Sequence, residues 1–582
     1  MGQTLADAGA VFLQAGFRLV RRNRGMSSAT APTHAARLRP IAIEHLIVLA
    51  SLYWVLSANS LFFEAALEGR SWTEGATWGF LAALALGLFG LHVLLLSLVA
   101  YRRTIKPVLS LLLISAAAGS WFMQSYGIYL DPTMVRNVLR TDVAEARELW
   151  SGALLIHLLI YAGLPLLLLH KVQIAPQGWR RALLGRVALI GATLLLLLAV
   201  LMAIFQPLAS LMRNHKDMRY LATPANLLWS TGSVLASESR GTLQPRQPLD
   251  PEARLAATTH QRPRVLVLVV GETARAVNWG LSGYARQTTP ELSRLPVLNM
   301  AQVTSCGTNT EVSVPCLFAP VGRRDYDEAR IRGSDSLLHL LAQAGVTVHW
   351  RDNQSGCKGV CDGLPQDSVG ALNPPGLCAE GRCLDEGLLT GLDARLAQAT
   401  GTQVWVLHML GTHGPSYFRR YPPAYARFQP ACQSDDLRLC TREEIVNAYD
   451  NALLYTDHVL ASLIGTLQAH AGRVDSFMLY VSDHGESLGE KGLYLHGMPY
   501  AIAPDEQTRV PMTLWWSQGW AAQGGLDPAC LRQRAAAPAQ HDHVFHTVLG
   551  LLDVQSKVYD AAWDLGAGCH SQRATALVPA QP

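Results

Sequence analysis

The feature that most limits how this chain can fold is a change of composition near residue 205. Before it, five apolar runs lie near Ile41–Phe63, Trp78–Tyr101, Pro107–Gln124, Ala153–His170 and Val187–Phe205. A helix needs roughly 20 apolar residues to cross the hydrocarbon of a bilayer. Five such runs in so short a stretch are hard to fit into one soluble core, so a five-helix transmembrane domain is expected over 41–206. The rest of the 582-residue chain has the mixed composition of a soluble domain. The net charge of +4 is small, and the arginines cluster beside the apolar runs, a pattern that orients membrane helices and does not point to nucleic acid.

Those arginines set the expected topology. Arg18, Arg21, Arg22 and Arg24 precede the first run. Arg102, Arg103 and Lys106 join the second to the third, and Lys171, Arg180, Arg181 and Arg186 join the fourth to the fifth. The loop after the first run instead carries Glu64, Glu68 and Glu74 against Arg70. The positive-inside rule then places a tail over 1–40 in the cytoplasm, with an amphipathic turn at Val11–Val20, and everything after Phe205 on the far side. That tail lacks the compact apolar core and cleavage site of a signal peptide. All ten cysteines fall between Cys306 and Cys569, in the part placed outside the cytoplasm, where disulfides persist. Cys306/Cys316, Cys357/Cys361, Cys378/Cys383 and Cys432/Cys440 are closely spaced pairs, which leaves Cys530 and Cys569. None of the spacings is the CxxC of a zinc site.

The second half alternates short β-rich runs with helical stretches, the pattern of an α/β fold with a mostly parallel sheet flanked by helices. Strands are expected at Val265–Val270, Val346–Trp350, Val404–Met409, Phe477–Ser482 and Met512–Trp516. The first ends in Glu272, the third leads to Thr412, His413 and Gly414, and the fourth stops at Asp483-His484. Ligands of open α/β sheets bind beyond the carboxyl ends of the strands. Two carboxylates and an imidazole at such ends suit Zn²⁺ or a similar divalent ion. Singly, each is as readily a helix cap or a hydrogen-bonded core residue; jointly, they favour a metal centre. A hydroxyl nucleophile fits beside it, and Thr304, Ser305, Thr308, Thr310 and Ser313 all remain open on composition. In the loop between the third and fourth runs, a helix is expected over Met134–Trp150. It would put Asn137, Thr141 and Glu145 on one face, suited to an ammonium group; the competing reading is an interfacial helix with a solvated face. His541-Asp542-His543 with His546 reads as a structural helix.

Several longer motifs carry a family resemblance. They are Gly271-Glu-Thr-Ala-Arg275 with Trp279-Gly280 and Tyr284, Ser305-Cys-Gly-Thr-Asn-Thr310 with Ser313-Val-Pro-Cys316, and Trp350-Arg-Asp-Asn353 with Lys358-Gly359. His408 with Gly414-Pro415, Ser482-Asp-His-Gly-Glu-Ser-Leu-Gly489 and His496-Gly-Met-Pro499 follow in the same order. From the first run to about Leu552 the chain resembles the lipid A phosphoethanolamine transferases, which include the mobile colistin-resistance enzymes, within the alkaline phosphatase/sulfatase-like superfamily.

The resemblance implies that Glu272, Asp483 and His484 ligate zinc and that Thr310 is both nucleophile and fourth ligand. His413 and His496 would line the phosphate pocket, where one acts as general acid or the two help hold a second zinc. Lys358 would face the substrate phosphate, and Asn137, Thr141 and Glu145 would meet the substrate. It implies a phosphatidylethanolamine donor, a lipid A (lipopolysaccharide) acceptor, a phospho-threonine intermediate and a monomer in a Gram-negative inner membrane. A linker over 207–263 would lie along the membrane surface, with Met212–Lys216 and Arg219–Leu221 matching the family, before a periplasmic catalytic domain over 264–573 and a tail over 574–582. The sequence departs from many relatives at Asn309 and Glu311, where small residues such as Ala are common; Glu311 would add negative charge near a phosphate. Two rivals stay in the superfamily, a phosphatase or sulfatase and a transferase of another headgroup such as phosphoglycerol. The segment around Thr310 lacks the Cys/Ser-x-Pro-x-Arg of sulfatases. An inactive membrane scaffold is the rival of another class, and it has no physical need for Glu272, Thr310, Asp483 and His484 together.

Overall fold

The structure, a computed structural model, describes residues 40–569 except 142, 242–245, 258–259, 380 and 525. The two tails, including the turn expected at Val11–Val20, lie outside the described residues.

Among the described residues, Gly75–Val99, Ile105–Tyr126, Gly152–Lys171 and Trp179–Arg213 are each long and apolar enough to cross a membrane. The first span, expected over Ile41–Phe63, is formed by two helices, Ile43–Ser57 and Ser60–Leu67, bent by 59°. Asn59 explains the break. Its buried side chain donates to the Trp54 carbonyl at 2.8 Å and to the Thr223 carbonyl at 2.8 Å, and it accepts from Thr223 N–H at 2.8 Å. The amide thus replaces helix hydrogen bonds and ties the bend to the segment after the last span. That last helix runs well beyond Phe205, to Asn214. Its backbone departs from helical geometry at Ile204, just before Pro207, which cannot donate into the helix ladder.

The second half is an α/β domain around a seven-stranded sheet. Its strands are β1 (Arg264–Gly271), β2 (Leu298–Asn299), β3 (Thr347–Asp352), β4 (Gln366–Ser368), β5 (Thr402–His408), β6 (Asp475–Ser482) and β7 (Met512–Trp516). The order across the sheet is 2-7-6-1-5-3-4, with β7 antiparallel to both neighbours and the other pairs parallel. Every residue of β1 is buried. Leu266, Leu268 and Val270 pack into one core layer and Val265, Val267 and Val269 into the other, the two-sided burial of a central parallel strand. Register levels the carboxyl ends: Ser482 pairs with Gly271, Val270 with His408, and Asp352 with His408. Residues that follow these strands therefore emerge at one edge. All five disulfides are formed, including Cys530–Cys569, which closes the domain near its end.

The loop between the third and fourth spans corrects another expectation. Met134–Trp150 is not one helix but two, Pro132–Arg140 and Val143–Glu148. Asp131 caps the first, accepting from Met134 N–H at 2.7 Å, with Pro132 at the first helical position. Thr141 ends it: its backbone is extended and its hydroxyl donates to the Asn137 carbonyl at 2.9 Å. The four-residue spacing therefore does not put Asn137, Thr141 and Glu145 on one helical face. The loop is held by charge against both the catalytic domain and the helix Ala225–Gly241 that precedes it. Arg136 pairs with Glu328 and donates to Ser237 at 2.9 Å, Arg140 pairs with Glu238 at 3.0 Å, and Glu148 pairs with Arg420 and, at 3.2 Å, with Arg382.

Candidate metal and phosphoryl-transfer centre

Glu272 is the first residue past β1, and Asp483-His484 the first two past β6, so the sheet places all three side by side. They are fully buried, and one ligand atom from each lies within 4.8 Å of the others. His484 Nε2 stands 3.2 Å from Glu272 Oε1 and 3.3 Å from Asp483 Oδ2. Neither contact has hydrogen-bond geometry, and both Asp483 Oδ2 and His484 Nε2 lack a hydrogen-bond partner among the described residues. The outer atoms, by contrast, are fixed. His484 Nδ1 faces the Gly485 carbonyl at 2.8 Å, and Asp483 Oδ1 accepts from Thr273 N–H at 3.2 Å and His484 N–H at 2.7 Å. Buried polar atoms rarely go unpaired. Two that do so while grouped with a carboxylate oxygen of Glu272 fit a cation, and an imidazole with two carboxylates is a donor set for a borderline divalent ion. Electrostatics agree. Burial pushes the His484 pKa down, yet the charges of Asp483 and Glu272 more than reverse it; burial and Glu272 raise that of Asp483. The cluster requires positive charge at its centre.

Thr310 begins the helix Thr310–Leu317, whose Asn309 cap accepts from Val312 N–H at 3.1 Å. The Cys306–Cys316 bridge closes the loop on both sides of it. Thr310 Oγ1 donates to Glu272, 3.2 and 3.3 Å from its two oxygens. The other hydroxyls of the segment look elsewhere: Ser305 donates to the Gly307 carbonyl and Thr308 to the Met498 carbonyl, and Ser313 Oγ has no partner. Thr310 also sits at a helix N-terminus, where free N–H groups and the dipole favour an anion.

Histidines surround this group. The His484 and His496 rings are 4.4 Å apart, and those of His496 and His413 5.3 Å. Glu486 holds His496 by Nδ1 at 2.8 Å and also accepts from the Tyr417 hydroxyl at 2.7 Å. His413 arrives on a loop that touches Glu272 directly. Gly411, at φ 56°, has room there only without a side chain, because a Cβ would meet the Glu272 carbonyl at 2.5 Å. His413 Nε2 pairs with Glu145 at 3.1 Å. Burial lowers the His413 pKa, but Glu145 and Glu272 outweigh it and bring it to about 8.

The chain as a whole has recognisable relatives. Residues 264–554 match the sulfatase family model, and residues 88–239 match the model of phosphoethanolamine transferases EptA/EptB. Phosphoethanolamine transferase EptA of Escherichia coli K12 is 36% identical over 535 residues, covering 90% of this chain and 96% of that protein. Phosphatidylethanolamine transferase Mcr-1 of Escherichia coli is 38% identical, covering 88% and 96%. The chain belongs to the EptA/Mcr phosphoethanolamine transferases. In the same family, the integral membrane lipooligosaccharide phosphoethanolamine transferase A of Neisseria meningitidis superposes with a TM-score of 0.87 at 38% identity, covering 91% of this transferase and 99% of that chain.

Two features of this transferase were not assigned a role from sequence. His408, at the end of β5, is wholly buried; its Nδ1 lies 2.8 Å from Asp352 Oδ1 while its Nε2 has no partner. Burial opposes its protonation, but Asp352 outweighs it and, with the charges of Glu272 and Asp483, raises its pKa. Glu311 is the other: it is buried beside Thr310 and turned toward cations. Of the loop residues, Glu145 reaches the centre through His413. The side chains of Asn137 and Thr141 make no hydrogen bond to the Glu272 cluster among the described residues. His541 and His546 are buried and bonded to backbone groups, Ser482 and Pro320 carbonyls among them, and His543 packs against Trp563.

Proposed function

We propose that this transferase moves phosphoethanolamine from phosphatidylethanolamine to a phosphate of lipid A, with Thr310 as nucleophile and Zn²⁺ held by Glu272, Thr310, Asp483 and His484. One observation carries the reading: the Thr310 hydroxyl faces Glu272 beside two buried, partnerless ligand atoms, Asp483 Oδ2 and His484 Nε2. Bound zinc lowers the pKa of a coordinated hydroxyl and neutralises charge on phosphoryl oxygens.

The residues of the chain then divide the work. Thr310 Oγ passes its proton toward Glu272 and forms a bond to phosphorus as the bond from phosphorus to the diacylglycerol oxygen breaks. That oxygen takes a proton from His413 or His496, which stand beside the cluster with their own carboxylate partners. The phosphoethanolaminyl group rests on Thr310 until a lipid A phosphate oxygen attacks the same phosphorus, its proton passing to the histidine that had given one up, and the Thr310 oxygen leaves, regaining its own proton from Glu272. N–H groups at the start of the Thr310 helix stabilise the anionic phosphorus oxygens throughout. Glu145 offers a carboxylate to the ethanolamine ammonium, and Lys358 a cation to the phosphate. A second zinc would draw on His413 and His496.

Both substrates are lipids, which accounts for a catalytic domain carried on membrane helices. The arginine pattern supports a cytoplasmic N-terminus and a periplasmic centre in a Gram-negative inner membrane. Mass spectrometry of lipid A from cells expressing either the wild type or Thr310→Ala tests the function. Added phosphoethanolamine is expected with the first and none with the second; unmodified lipid A with both would redirect the search to another acceptor.

A further inference from the structure

Glu311 presents a physical puzzle, because a carboxylate next to the nucleophile should repel a phosphate. Its side chain is fully buried, which is costly for a charge unless cations meet it. Three do, each from a different element. Arg140 of the membrane-borne helix Pro132–Arg140 reaches Oε2 at 3.1 Å, and Arg332 of the helix Glu328–Gly333 reaches the same oxygen at 3.2 Å while donating to the Glu311 carbonyl at 2.7 Å. Lys358 Nζ, on the loop after β3, stands 3.4 Å from Oε1.

The three cations are not equivalent. Each arginine has a second carboxylate, Glu238 for Arg140 and Glu328 for Arg332. Among the described residues, Lys358 has only Glu311 within ion-pair distance. The ammonium is almost wholly buried and gives two of its three N–H donors to Ser355, to Oγ at 2.6 Å and to the carbonyl at 3.2 Å. Among the described residues the third is in no hydrogen bond, and Glu311 Oε1 accepts none. The Lys358 charge also helps to hold the Glu145 pKa down. Lys358 thus sits beside the helix that Thr310 begins, held by charge and with one donor uncommitted among the described residues.

We propose that Glu311 is a positioning residue for phosphoryl transfer: it anchors Lys358 beside Thr310 so that the free ammonium N–H meets the phosphate, while Arg140 and Arg332 cancel its own repulsion. This rests on the reading above, in which Thr310 attacks and Lys358 receives the phosphate. A long lysine side chain has much rotamer freedom to lose, and a fixed counter-charge removes that loss from the reaction step.

The test is a double-mutant cycle on the purified full-length protein in detergent, with a short-chain fluorescent phosphatidylethanolamine donor. Glu311→Gln is expected to lower kcat/KM about tenfold, mainly through kcat, with unchanged zinc content and a folded protein of lower Tm; in the Lys358→Ala background the same change should cost less than about twofold in kcat/KM. An equal loss in both backgrounds, or a Glu311→Gln protein within about twofold of wild type, overturns the proposal. If Glu311→Gln loses its fold or its zinc, Glu311→Asp enters the same cycle, because it keeps the charge and shortens the reach. A Lys358→Ala protein as active as wild type overturns this inference but leaves the function intact, whereas full activity in Thr310→Ala removes the function it rests on.

Discussion

Two regions meet at this centre and are built on opposite terms. Glu272, Asp483 and His484 follow strands whose residues are buried throughout, so the sheet fixes them and no ion pair is needed for their placement. The loop over 131–150 comes from the membrane half as two short helices and reaches the centre through ion pairs, at Arg136, Arg140, Glu145 and Glu148. A rigid cluster suits chemistry that tolerates little displacement, and a loop held by charge suits a lipid that must enter and leave. Changes in the first region should therefore abolish the reaction, and changes in the second should scale it.

Thr310→Ala should have the largest effect, a fall in transfer of about 10³-fold or more, read by steady-state assay. A smaller loss would mean that the strand-end cluster does not contain the nucleophile. Next come the ligands. His484→Ala should lower both bound zinc, read by elemental analysis, and activity, and chelation of the wild-type protein should reproduce the loss and lower Tm, with recovery when zinc is returned. Activity that survives complete removal of metal would erase the distinction between the two regions.

Glu145→Gln should cost less, about ten- to a hundredfold in kcat/KM, because it removes one charged contact. Its pair with His413 also gives the loop a pH signature. The His413 pKa is raised from 6.5 to about 8, so its contribution to docking is whole below 6.5 and fades as pH rises through about 8. That of Glu145 falls from 4.5 to about 2, because His413 outweighs burial, so its contribution is whole above 4.5 and fades as pH falls toward 2. Relative to the intrinsic exchange rate at each pH, protection of 143–148 from hydrogen exchange should therefore be greatest between these limits and fall above pH 8, while β1 and β6 stay protected throughout. An equal fall in the strands would break the comparison. The smallest effect is expected for Glu328→Gln, about 1–2 kcal/mol of stability by thermal unfolding with only a small fall in kcat, because it loosens Arg136 and reaches the chemistry solely through Arg332, which keeps its own contacts to Glu311.

Much of the strand-end region was legible because each proposed ligand follows a short apolar run, and a run of that kind fixes both the strand and its exit. The hydroxyl was not legible from residues alone. Five candidates lie between Thr304 and Ser313, and only the path of the loop brings Thr310 Oγ1 to Glu272; the family motif supplied that choice. His408 was visible at the end of β5, but which way it faces depends on strand register. In the loop, four-residue spacing continued past Thr141, while the hydrogen bond of Thr141 to its own helix ended the helix there. The bend at Asn59 was hidden for a different reason: its apolar flanks are uniform, and its partner Thr223 lies 164 residues away.

The central claim is that Thr310 carries the phosphoethanolamine group between two lipids. The purified protein should be incubated with phosphatidylethanolamine in the absence of acceptor, and its intact mass measured before peptide mapping. A gain of one phosphoethanolamine group, located on Thr310 and absent from Thr310→Ala, is the predicted result. Transfer to lipid A with no adduct at any time point, or with the adduct on another residue, would contradict it.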